Sequence, residues 1–499
     1  RSPASRNSAN RYGILSCGLF SAPQGLPIRT CAATLLVGWL AAAPAYSESL
    51  ATYQQRAAYR AALDHLAAGR TSTFRRAKER LSEYALSPYL EYYELSRRLS
   101  NASADDITRF RSEHGQLPVA DLLFWRWLKR LGERREWAAL LEHYQPTTHA
   151  EIRCYQLRAL YGTGKREEAF AQVADLWVVE ESQPKACDPL FEAWIANEYL
   201  TYAMAWERLQ LALDNDERQL ARYLLRFFDG SHKSWAQSLY NLHLNPSAVT
   251  RTSRYAADTE NSRRAIRHGL LRLASRDPER AVQAWEHYRQ SHAFTDADRL
   301  AIEDTLMKEM ASEGVFRNNP RSTDVSGDLA QAMATAAIAY SNWPQAQHWL
   351  ELLPAEQLQS NRWQYWLARA LSASTLNSER ARLAYRALAD ERDYYGFLAA
   401  ERLGVPPQLN GVEAQPQQAT REAVRNLAAV ARATELHAVG DLLNARRELN
   451  TLITTLQPDQ QAALAHLVMD MGWLSQSIHL ANTAKLRDHL TLRFPTVHH

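Results

Sequence analysis

Glycine is scarce, at 18 of 499 residues, and the non-aromatic β-branched residues are scattered. No stretch sustains the period-2 alternation that a half-buried strand needs, so a sheet is excluded as the main framework. Cysteine is rarer still, four in all, and none has the spacing of a metal site or a redox CxxC pair. HExxH, GxSxG and Cys/His clusters are all missing, so no metal and no cofactor is expected. Gly162-Thr163-Gly164-Lys165 looks like a fragment of a phosphate loop. The first glycine of that pattern would fall on Ala159 and no strand precedes it, so it reads as a turn between helices. Excess charge of one sign is also lacking: the net charge is +3, which excludes a nucleic-acid polycation. Two local basic runs, Arg75, Arg76, Lys78, Arg80 and Arg263, Arg264, Arg267, are interleaved with apolar residues and read as solvated helix faces.

Only one long apolar run exists, CAATLLVGWLAAA at 31–43, with Arg29 before it and Ala43-Pro44-Ala45 after it. A bilayer takes about 20 apolar residues, so this run is too short to span one. With its small-x-small end it reads as a secretory signal peptide cut after Ala45, the alternative being an uncleaved anchor. The leader is then 1–45, and the rest should carry no membrane span and lie in the periplasm. Cys17 and Cys31 would leave with the leader, and Cys154 and Cys187 would remain. An even pair in an oxidising compartment should form a disulfide, worth roughly 3–4 kcal/mol for a loop of this length; the alternative is two buried thiols.

What is abundant is Ala, Leu, Arg, Glu and Gln, the good helix formers. Beyond the leader one grammar recurs: a polar turn, a polar first helical turn, then Ala followed by a large apolar residue. It is read at 159–177 (Ala169 and Phe170, then Val173, Leu176 and Trp177, on a single helix), 273–288 (Ala281, Trp285), 340–350 (Ala346, Leu350), 375–388 (Ala381, Tyr385) and 438–449 (Ala445, Leu449). Asp277-Pro278 has the form of an N-cap followed by proline at the first helical position. Hairpins of this kind cannot bury their faces alone and must stack. The expected fold is therefore all-α: a right-handed superhelix, or α-solenoid, of degenerate tetratricopeptide-like hairpins over 46–403. A polar connector interrupts it at 313–328. Pro406, Pro407 and Pro416 mark a second connector at 404–420, before a small helical module at 421–490 and a tail at 491–499. The chain has 14 tryptophans; Trp125, Trp177, Trp285, Trp349 and Trp366 fall on apolar stripes and read as packing rather than as a sugar platform.

Three segments together resemble the soluble lytic transglycosylases of Gram-negative bacteria. They are Cys154–Trp194 with its SQPKACDPLFEAW tail, DYYGFLAAERLG at Asp393–Gly404, and the run from about 421 to RDHLTLRFP at Arg487–Pro495. The resemblance covers nearly all of 46–495 and supports the Cys154–Cys187 pair. It implies a superhelix closing into a ring, a helical linker domain, and a lysozyme-like catalytic domain after them. It further implies an enzyme that cleaves the β-1,4 bond between N-acetylmuramic acid and N-acetylglucosamine, leaving a 1,6-anhydromuramoyl product. One glutamate in an ESxxxP motif does this, followed by GLMQ and AYNAG elements. Here Glu-Ser occurs only at Glu48-Ser49 and Glu181-Ser182, neither followed by GLMQ, and AYNAG is absent. No catalytic residue is carried over. The chain is expected to be the inactive scaffold portion of such an enzyme, ending near His499 where the catalytic domain would start. Its expected partners are peptidoglycan strands and cell-wall synthesis or remodelling proteins. The alternative is a free-standing periplasmic repeat protein that binds protein partners on a concave face.

Overall fold

The computed structural model describes residues 50–316, 325–373, 378–411 and 415–496. The signal-peptide reading at 31–45, Cys17 and Cys31 lie outside the described residues, as do parts of the two connectors (317–324 and 412–414) and of the tail (497–499). A first unit, Arg1–Tyr53, contributes only the start of helix Leu50–Ala67 to the described residues. The rest forms one unit from Gln54 onward. Among the described residues every regular element is a helix. None is long and apolar enough to cross a membrane.

Short polar residues start these helices as the turn grammar requires. Asp277 accepts from the Arg280 N–H at 3.1 Å, ahead of Pro278. Ser103, Thr201, Thr259, Thr295, Ser326, Asn342, Asp393 and Asp441 cap their helices the same way. Each satisfies a backbone donor that the helix itself leaves free. The alanine of each repeat and its large partner one turn on are buried together: Ala281 with Trp285, Ala346 with Leu350, Ala381 with Tyr385, Ala445 with Leu449. The small residue permits close approach and the large one fills the gap beside it.

The expectation of one helix through Trp177 is corrected. The chain forms two short helices, Arg166–Phe170 and Ala174–Trp177. Between them Gln172 and Val173 bond three residues back, to the carbonyls of Ala169 and Phe170. This tightened turn lets Phe170, Val173, Leu176 and Trp177 all face the core. Cys154, on helix Ala150–Gly162, is bonded to Cys187 with Cα atoms 5.0 Å apart, and both are buried.

Core side chains fall into four clusters. Three follow one another along the chain, centred on Cys154–Leu239, Leu242–Met310 and Ala311–Ala400. The fourth joins distant segments: side chains from Tyr59 to Ala186 pack with others from Val424 to Leu492. The chain thus returns on itself, the C-terminal helices completing the core of the N-terminal ones. Gly404, at φ +69°, ends helix Tyr394–Leu403, and the Val405 N–H bonds back to the Ala400 carbonyl at 3.0 Å. The connector beyond it is tied down by Arg392, which donates to the carbonyls of Leu409 (3.3 Å) and Asn410 (3.2 Å) and pairs with Asp488.

Candidate functional site

Three helices wall a cleft of about 830 Å³: Tyr202–Asp214, Glu260–Ala274 and the start of Asp296–Ser312. Their caps set its rim. Thr259 and Ser262 form a reciprocal capping box, and Thr295 receives the Asp298 N–H at 3.1 Å. Helical spacing then lays Ala203, Trp206, Glu207, Gln210 and Leu211 along one wall and Glu260, Arg263, Arg264 and Arg267 along the other. Trp206 is half-buried, its ring edge-on to Phe228 at 5.0 Å.

The arginines are held by carboxylates. Arg264 bonds Glu260 at 2.6 Å, Arg267 lies 3.2 Å from Asp298, and Arg263 pairs with Asp258. The Ala293 N–H also donates to Asp258 at 3.0 Å, and this bond leads in holding that carboxyl below its usual range. The cleft lining carries three arginines and three carboxylates (Glu207, Glu260, Asp298), so its charge is balanced. Paired arginines keep spare N–H donors and the carboxylates keep spare lone pairs. Such a surface suits a polar ligand without net charge.

His243, on helix Gly230–Leu244, and His268, on helix Glu260–Ala274, form a buried pair. Asp216, at φ +58° just past helix Tyr202–Asp214, accepts from His243 Nε2 at 2.9 Å. His243 Nδ1 lies 3.3 Å from His268 Nε2. Burial, and then the charges of His243 and Arg272, push His268 down to about 3. On helix Tyr202–Asp214, Arg208 is buried over the Trp177 ring at 4.5 Å, and burial lowers its pKa to about 10.

A second polar cluster sits where the chain closes. Arg432 donates two bonds to Glu448, at 2.8 and 2.9 Å, and Tyr89 donates a third at 2.8 Å. Glu435 receives Arg56 at 2.8 and 2.9 Å and Tyr84 at 2.6 Å. Tyr93 bonds Asp441 and receives Asn444 at 2.8 Å.

The basic run at Arg75–Arg80 is a helix face whose Arg75 and Lys78 pair with Glu94 at 3.4 and 3.0 Å. Arg263, Arg264 and Arg267 are solvated, as read, and they also line a cleft, which their spacing alone did not reveal. Trp177, Trp285 and Trp349 are buried, and Trp125 and Trp366 are partly buried against the core. Trp206 was not singled out from the sequence; its neighbour Glu207 and its spacing to Gln210 were the available signals. Glu181-Ser182 lie exposed on the strap between Trp177 and Lys185. Among the described residues no group of three or more His, Cys, Asp or Glu is arranged to hold a metal ion.

The soluble lytic murein transglycosylase L domain profile matches residues 423–490. The soluble lytic murein transglycosylase of Escherichia coli (strain K12) is 27% identical over 429 residues, covering 83% of this chain and 65% of that protein. The chain therefore spans less than two thirds of that relative's length. Among solved structures, the lytic transglycosylase Slt of Pseudomonas aeruginosa matches with a TM-score of 0.76 and 31% identity, over 88% of this chain and 73% of that one. The 70 kDa soluble lytic transglycosylase of Escherichia coli matches with a TM-score of 0.75 and 25% identity, over 90% of this chain and 73% of that one.

Proposed function

This chain belongs to the soluble lytic murein transglycosylase family, and from that premise we propose that its residues 46–490 are the glycan-holding scaffold of a periplasmic peptidoglycan lytic transglycosylase. In this reading 46–403 is the superhelical domain, 404–420 the connector and 421–490 the L-type domain. The leader directs export, and the Cys154–Cys187 bond forms in the oxidising compartment. The observation that carries the reading is the likeness to Slt along 88% of this chain. The ESxxxP, GLMQ and AYNAG set is missing from 1–499, so these residues supply no catalytic glutamate of that kind. Their role is to hold strands for a catalytic domain that cleaves the muramoyl–glucosaminyl bond.

The test is sedimentation of the purified chain with insoluble peptidoglycan, with released muropeptides analysed by mass. Retention without 1,6-anhydro products is the expected result. Release of anhydro products would place an active site within these helices and overturn the non-catalytic assignment. Absence of retention would remove the glycan-holding role and leave binding of protein partners.

A further inference from the structure

We propose that the cleft between Trp206 and the Arg263–Arg264–Arg267 row is a subsite for the sugar backbone of a glycan strand. The occupant is a short run of β-1,4-linked N-acetylhexosamines with one pyranose face on the Trp206 indole. This rests on the glycan-holding reading above and deepens it by giving that reading an address.

Size permits it: about 830 Å³ lies within the roughly 300–1,000 Å³ usual for small-ligand clefts. Chemistry selects it. A pyranose presents a C–H face, which suits an aromatic plane, and a rim of hydroxyl and acetamido groups, which both donate and accept. The cleft matches both features. Trp206 packs against the core on one side and lines the cleft with the rest of its ring, whereas Trp177, Trp285 and Trp349 are wholly buried in the core. Opposite it, Arg264–Glu260 and Arg267–Asp298 offer donors and acceptors side by side.

Charge narrows the ligand further. Three arginines against three carboxylates give no net attraction for a polyanion, which argues for the uncharged sugar backbone over an anionic polymer. The groups are also set before any ligand arrives. Phe228 holds the Trp206 ring from the side, Thr295 donates to Asp298 at 2.8 Å, and Asp258 fixes Arg263 while anchored by the Ala293 N–H. Groups already ordered lose little freedom on binding, which lowers the cost of holding a ligand there.

The probe is hexa-N-acetylchitohexaose, a soluble peptide-free strand of β-1,4-linked N-acetylglucosamine, titrated into the full chain and followed by calorimetry and Trp fluorescence. Trp206→Ala should weaken binding at least about tenfold, and Arg264→Ala, which removes the donor of a half-exposed ion pair, about threefold. Should Trp206→Ala fail to fold, Arg264→Ala with an unchanged melting temperature decides the matter. Binding by the wild type that neither variant weakens would overturn this subsite while leaving the glycan-holding role intact. Retention on peptidoglycan without any hexaose binding would also overturn it, because the sugar backbone would not be what is recognised. Loss of both would remove the subsite and the broader reading together.

Discussion

Tyr89 donates its hydroxyl to Glu448 at 2.8 Å across 359 positions of sequence, and the same carboxylate receives both arms of Arg432. Glu448 is 1% exposed, Arg432 6% and Tyr89 0%. A charged pair this dry persists because the two charges neutralise each other through two bonds and Tyr89 adds a third to the carboxylate. The bond from Tyr89 makes the pair a clasp between the first helices and the last.

Removing one member therefore leaves an uncompensated buried charge. Glu448→Ala should cost about 3–5 kcal/mol of unfolding free energy, and Tyr89→Phe about 1–3 kcal/mol. Replacing both charges with apolar residues of similar size, Arg432→Met with Glu448→Leu, should recover much of the loss. Denaturant unfolding of the four proteins checks this. A double variant no better than Glu448→Ala alone would mean the site tolerates no apolar filling.

His268 gives the chain an acid sensitivity with a definite sign. Burial holds it neutral in the folded state, with its pKa down to about 3 against an ordinary 6.5. His243 is lowered too, by burial and then by Arg272. The unfolded chain therefore binds more protons between these values, so the contribution is complete above pH 6.5 and is lost as the pH falls toward about 3. Asp216, Asp214, Arg218, Arg267 and Arg272 face the pair and set its background. Unfolding free energy measured from pH 7.5 to 4.5 should fall with acid, and His268→Asn should flatten that slope whatever it does to absolute stability.

How far the sequence could be read depends on how local the signal was. The cap at Asp277 and the Ala–large pairs at 281/285 and 346/350 lie within a turn or two of each other, and helical periodicity exposes them. The split at 171–173 was hidden because its cause is the shape of the core beneath Phe170 and Trp177, which no local propensity encodes. The Tyr89–Glu448 and Arg56–Glu435 bonds were invisible for a different reason. Each partner alone looks like an ordinary surface residue, and only closure of the chain buries them. Trp206 shares that limit: it is half-exposed like Trp125, Trp137, Trp235, Trp343 and Trp366, and gains meaning only when the Arg263–Arg267 row is brought across from it.

The Cys154–Cys187 bridge joins helix Ala150–Gly162 to the short helix Lys185–Cys187 that follows the strap carrying Glu181, and Arg158 reinforces it by donating to the Ala186 carbonyl at 3.1 Å. We propose that it stabilises the exported protein by restricting the unfolded chain, by roughly 3 kcal/mol. Melting in the presence of a strong reductant should occur at lower temperature than without it, and Cys154→Ser should abolish the difference. Equal melting temperatures with and without reductant would mean that the bridge contributes nothing.

Gly132 shows how tightly the first core is closed. It lies in helix Pro118–Arg134, and a Cβ added there would stand 2.3 Å from Tyr155 Cγ, on the facing helix Ala150–Gly162. Its helical backbone is open to any residue, so the constraint is the ring and not the conformation. In an exposed helix the change to alanine would stabilise by up to about 1 kcal/mol. Here the clash reverses the sign, and Gly132→Ala should destabilise by about 1–3 kcal/mol, the range for overpacking a core. Tyr155→Leu in the same chain removes the flat ring from the path of the new methyl and should restore part of that loss. Chemical denaturation of the single and double variants separates the two effects. A Gly132→Ala protein as stable as the wild type would show that these helices can part at this contact without cost.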